Sequence, residues 1–126
     1  MWVLKNESFV AFMKKNKITD SAMRKAASQI EQTASARGRP RDGLGGHIFV
    51  QNVARPKQGA SRGYRACYTF KIRELIIFMY GYARRDRNRI SDRELEALQA
   101  LARIYLGFDE AELQHAIQSE ELIEIA

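Results

Sequence analysis

Leu75-Ile76-Ile77-Phe78-Met79-Tyr80 runs without a single charged or amide side chain. Successive side chains of a strand point to opposite faces, so such a run suits a central strand covered on both sides. The stretch before it, residues 64–72, alternates instead. Tyr64, Ala66, Tyr68, Phe70 and Ile72 share one face, and Arg65, Cys67, Thr69 and Lys71 share the other. Arg73-Glu74 makes a tight turn between the two, and residues 47–53 read as a third strand, which gives an antiparallel meander.

Helices must supply the cover. Residues 6–15 carry Phe9, Val10, Phe12 and Met13 in a short amphipathic pattern. A second helix is predicted to start at Asp20, with that carboxylate as its cap. Its Met23, Ala26, Ala27, Ile30 and Ala34 follow the 3.6-residue period. Residues 36–46, A-R-G-R-P-R-D-G-L-G-G, break that helix into a flexible basic connection. After the meander, Ser91-Asp92-Arg93-Glu94 is a capping-box pattern ahead of the stripe Leu95, Leu98, Leu101, Ala102 and Tyr105. Gly107 stops that helix, and 109–112 cap another that runs to Gln118. Residues 122–125 are a strand or a helical turn, which periodicity over so few positions does not separate. With 45% apolar residues in 126, one compact α+β domain is expected.

Charge is placed rather than spread. Net charge is +6, yet residues 37–89 hold thirteen lysines and arginines against three acids, while residues 90–126 are acidic. A basic middle points to a polyanionic partner, the alternative being a solvated face. No secretory pattern or membrane-length apolar run is present, so a cytoplasmic protein is expected. Cys67 is the only cysteine, and His47 and His115 have no metal-ligand spacing, so neither a metal nor another cofactor is expected. Phosphate-loop and dinucleotide motifs are missing, and the carboxylates lie mostly in the C-terminal helices.

Two basic loops remain, residues 55–65 and 82–89. An antiparallel meander brings the start of the middle strand beside the end of the next, placing Arg65 near Tyr80 and Tyr82, with Arg84 just beyond. Two guanidiniums, Lys57 and a phenol would then meet with no acid nearby. Metal-free RNA cleavage suits such a set: a 2′-hydroxyl attacks phosphorus, Arg stabilises the phosphorane, and a Tyr or Lys perturbed by the guanidiniums moves protons. The plainer alternatives are an Arg65–Asp86 salt bridge, packing roles for Tyr80 and Tyr82, and solvated Arg85, Arg87 and Arg89 touching RNA phosphates without specificity.

The runs A-R-P-K-Q-G-A-S-R-G-Y-R and F-M-Y-G-Y-A-R-R-D-R-N-R-I-S-D-R-E-L-E-A-L resemble the RelE/HigB-like toxins of type II toxin–antitoxin modules, in the branch with a long C-terminal extension. The similarity covers nearly the whole chain. It implies a RelE-like fold, with N-terminal helices on a small antiparallel sheet and residues 90–126 as an acidic helical extension. It also implies ribosome-dependent mRNA cleavage and a cognate antitoxin, often of helix-turn-helix type. Position by position, Arg65 matches the arginine that meets the scissile phosphate, and Arg84 the basic residue after the G-[YF]-A turn. Arg55, Gln58, Ser61 and Gly63 match the polar loop. Tyr82 and Lys57 complete the expected catalytic set, and Arg62, Arg85 and Arg87 join Arg55, Gln58 and Ser61 as expected RNA contacts. The chain departs from the branch at Val50, Asn52 and Ala60, where lysine or arginine is usual; Lys57 and Arg62 restore charge but not position. A non-catalytic gyrase inhibitor of the ParE type and a plain nucleic-acid-binding module are the competing readings.

Overall fold

A computed structural model describes residues 1–55 and 59–126, with the side chains of residues 59–62 outside the description. Among the described residues, six strands form one sheet: β1 (Trp2–Asn6), β2 (Gly43–Gly45), β3 (Ile48–Arg55), β4 (Gly59–Lys71), β5 (Leu75–Ala83) and β6 (Leu122–Glu124). Among the same residues, four helices accompany them: α1 (Glu7–Asn16), α2 (Asp20–Arg37), α3 (Asp92–Leu106) and α4 (Glu110–Gln118). The strand order is β2-β3-β4-β5-β1-β6. The α+β class and the antiparallel β3-β4-β5 meander match the expectation. The sheet is mixed, however, because β1 lies parallel to β5 and antiparallel to β6. Residues 2–6 were not expected to be a strand at all. Their extended state comes from pairing with partners some 70 and 120 residues away, which no local pattern encodes.

The double cover that the run in β5 demands is present. Ile76 and Phe78 face the side packed by Phe9 and Met13 of α1 and by Met23, Ala26, Ala27 and Ile30 of α2. Leu75, Ile77 and Met79 face Leu98, Ala102 and Tyr105 of α3 and Leu113 and Ala116 of α4. Each large apolar side chain fully buried here contributes roughly 1.5–3 kcal/mol against exposure. The α1 face carries an aromatic chain, with Phe9 stacked on Phe78 at 5.4 Å and Phe12 edge-on to Tyr64 at 5.6 Å. A Cβ built at Gly81 would lie 2.3 Å from ring carbons of Phe12, so glycine there lets α1 seat on the sheet.

Helix starts follow local chemistry. Asn6 caps α1 by accepting from Phe9 N–H at 3.0 Å, and Thr19, not Asp20, caps α2 by accepting from Ala22 N–H at 3.1 Å. Asp20 instead binds the Lys5 ammonium at 2.8 Å and the Ala126 N–H at 3.0 Å, joining α2 to β1 and to the segment after β6. Burial works to raise the Asp20 carboxyl, but these partners, Lys5 first, hold it below its ordinary value. The expected flexible connection at 36–46 is more ordered than its composition suggests: α2 runs to Arg37, ends at Gly38 in the left-handed region (φ 84°), and Gly43–Gly45 adds β2. Both capping boxes form, Ser91 with Glu94 on α3 and Asp109 with Glu112 on α4. Among the described residues no helix is long and apolar enough to cross a membrane.

Candidate functional site

Alternation along β5 breaks at one point. Cys67 of β4 pairs with Tyr80, but the next residue, Tyr68, pairs with Phe78, so Met79 is an extra residue in β5. This β-bulge resets the parity of the strand. Counted from Ile77 and Met79, Tyr80 and Tyr82 would fall with Phe78 under α1. The bulge turns both tyrosines to the α3 side, where Tyr82 is buried and Tyr80 packs at the margin. Arg65 and Cys67 are their direct cross-strand partners. A basic and aromatic cluster is thereby assembled on rigid strands.

The loop from 84 to 91 folds over this cluster. The Asn88 carbonyl accepts a hydrogen bond from Arg65 Nη1 at 2.9 Å and lies 3.4 Å from the Tyr82 hydroxyl, which donates to it. Arg65 is half-buried, and its Nε is buried without a hydrogen-bond partner among the described residues. The alternative Arg65–Asp86 salt bridge does not form: Asp86 lies 3.8 Å from the neighbouring Arg85, with both side chains more than 60% exposed. Arg65 thus keeps its position through a neutral carbonyl, and its charge stays available to an anion.

An acid does stand in the site, against expectation. Glu94, in the first turn of α3, accepts from Tyr80 O–H at 2.7 Å, from Arg87 Nη1 at 3.1 Å, from Arg87 Nη2 and from Ser91 N–H at 2.8 Å. These bonds, that of Arg87 first, hold the Glu94 carboxyl at about 2. Its ionised form pushes the Tyr80 phenol upward, with burial adding to the shift. Tyr80 is therefore a neutral donor committed to Glu94, the reverse of a phenol activated by guanidiniums. Cys67, beneath the cluster, is pushed up to about 12 by burial, with Glu94 adding to it.

The expected residues divide clearly. Arg65 and Tyr82 meet across one register pair, and the backbone N–H of half-buried Arg84 donates to Gly63 O at 3.1 Å, closing the loop against β4. Arg87, expected as an RNA contact, is bound through its guanidinium by Glu94 and lies 5.6 Å from the Tyr82 ring centroid. Arg85 is exposed, and Arg55 is half-buried on β3 opposite Gly59. Lys57 and Gln58 lie outside the described residues, as do the side chains of Ser61 and Arg62. Asn52 pairs with Arg65 from the β3 side and Val50 with Cys67, so these two of the three departures from the branch pattern border the cluster. Sequence reasoning missed Glu94 and the Asn88 carbonyl. Glu94 carried a signal as the third residue of a capping box, but a cap predicts only its bond to Ser91.

No curated protein and no solved structure matches the chain. One family does, described as the RelE toxin of the RelE / RelB toxin-antitoxin system, and the match spans residues 1–125. That span takes in every strand, all four helices and the cluster around Arg65. The chain belongs to the RelE toxin family, the toxin half of a toxin–antitoxin pair whose other half is a cognate antitoxin.

Proposed function

We propose that the chain, acting as one toxin domain over residues 1–126, is a metal-independent endoribonuclease that cuts mRNA on the ribosome and so stops translation. The observation that carries this reading is the Arg65 guanidinium, set on β4 beside Tyr82 and held by a carbonyl rather than a carboxylate. In the reaction, the 2′-hydroxyl loses its proton and attacks the adjacent phosphorus. The bond from phosphorus to the 5′-oxygen then breaks, that oxygen takes a proton, and a 2′,3′-cyclic phosphate remains. Arg65 stabilises the charge on the phosphorane oxygens, which a permanently charged planar donor does well. Arg84 supplies a second cation from the adjoining loop, with Lys57 and Tyr82 assigned to proton movement and orientation. Arg55, Gln58, Ser61, Arg62 and Arg85 grip the flanking RNA. A helix-turn-helix antitoxin holds the toxin inactive until it is released.

Primer extension on a defined message tests the reading. The same RNA is exposed to the toxin free in solution and bound in a purified translation reaction. Cuts confined to the ribosome-bound message are the expected result. An intact message in both, with inhibition of gyrase supercoiling instead, would overturn it in favour of a ParE-type toxin.

A further inference from the structure

Glu94 makes more contacts than a helix cap requires. The cap of α3 is complete with two bonds, Ser91 N–H to Glu94 Oε1 at 2.8 Å and Glu94 N–H to Ser91 Oγ at 3.1 Å. The remaining three reach outside the helix, two to Arg87 in the overlying loop and one to Tyr80 on β5. One carboxylate therefore joins helix, loop and sheet, with both oxygens saturated.

The loop transmits that anchoring to the site. Arg87 uses its third nitrogen, Nε, to donate to the Arg89 carbonyl at 2.9 Å, so the backbone on both sides of Asn88 is tied to one guanidinium. The Asn88 carbonyl between them is the acceptor for Arg65 and for the Tyr82 hydroxyl. Charge is sorted at the same time. Of the two guanidiniums beside Tyr82, the acid takes Arg87 and leaves Arg65 with a neutral partner.

We propose that Glu94 is a positioning residue for the RNA site: it fixes the 84–91 loop over the sheet, and through the Asn88 carbonyl sets the aim of Arg65. The inference rests on the endoribonuclease reading for its effect on cleavage, but the anchoring itself stands on geometry. It gives the acidic C-terminal helices a role in a site that composition assigns wholly to the basic middle. Glu94 touches no reacting atom and acts only through Arg87, Tyr80 and the loop.

Glu94→Gln and Ser91→Ala separate this role from capping. Glutamine at the third helical position still serves a capping box, so Glu94→Gln spares the helix start while removing the charge that holds Arg87. Ser91→Ala removes the cap and spares the carboxylate. Two readouts are taken: single-turnover cleavage of ribosome-bound mRNA at saturating toxin, and hydrogen exchange of amides 84–91. Glu94→Gln is expected to slow cleavage about tenfold to a hundredfold, the scale of a misaimed catalytic group, and to speed exchange across the loop. Ser91→Ala is expected to lower Tm while keeping the cleavage rate and the loop's protection. Wild-type cleavage and exchange in Glu94→Gln, or an equal loss in both variants, would overturn the proposal. If the wild-type protein itself cuts no message, the nuclease reading fails on its own, and exchange alone decides the anchoring. Unchanged protection at 84–91 in Glu94→Gln then overturns it, and faster exchange confined to that loop supports it.

Discussion

Arg65 and Cys67 sit two residues apart on the same face of β4 and have opposite fates. Arg65 stays half-buried, with the Asn88 carbonyl and Tyr82 beside its guanidinium. Cys67 is fully buried, and its thiol is pushed up to about 12 by burial, so almost none is thiolate near neutrality. A thiol-reactive chromogenic disulfide at pH 8 is therefore expected to label Cys67 only after unfolding in denaturant. Stoichiometric labelling of the native protein would contradict that placement. Gly81 decides packing on the other face in the same local way. Gly81→Ala drives a methyl into the Phe12 ring and is expected to cost about 1–3 kcal/mol, read as a lower urea midpoint at unchanged m. An unchanged midpoint would mean that α1 shifts without cost. At this scale much was legible, since the alternation of residues 64–70 places Arg65 and Cys67 on one face without a structure. The facing of Tyr80 and Tyr82 was not. Every residue from Leu75 to Met79 is apolar, so the bulge at Met79 leaves no mark on the pattern.

The elements that build the site are β4, β5, the loop after β5 and the first turn of α3. The α2 and α3 stripes were readable from their period, and the core positions Met23, Ala26, Ala27, Ile30 and Ala34 are all buried. β1 and β2 were not readable, because their strand state is conferred by distant partners rather than by composition. Glu94 was readable as a cap but not as the acceptor for Tyr80 and Arg87, since those contacts depend on how α3 crosses the sheet. Its chemistry makes an acid-stability prediction for this element. The folded protein holds Glu94 at about 2, against an ordinary value of 4.5, through Arg87 first and then Ser91 and Tyr80. A folded value below the unfolded one means that the contribution is complete above 4.5 and is lost as pH falls toward 2. The side chain is 30% exposed, so solvent screening keeps that contribution small. Urea midpoints of wild type and Glu94→Gln, measured across this window, are expected to converge as pH falls. A constant gap between them would show that ionised Glu94 adds nothing to stability.

The molecule as a whole is a mixed sheet between two helical layers, and the layers serve different ends. α1 and α2 cover the face that holds Phe78 and Tyr68, where the structure is core. α3 and α4 pack on the other face, where half-buried Arg65 and Tyr80 and buried Tyr82 lie beneath the 84–91 loop. The charge split along the sequence follows this division, with the basic middle forming the site and the acidic end buttressing it through Glu94. The central claim is that one strand arginine stabilises the phosphorane of mRNA cleavage. Single-turnover cleavage of a ribosome-bound message by wild type and Arg65→Ala, with Tm measured on both, tests it most directly. The account predicts that the cut bands fall by about a hundredfold to a thousandfold in rate in Arg65→Ala while Tm stays near the wild-type value. Equal cleavage by Arg65→Ala would contradict it.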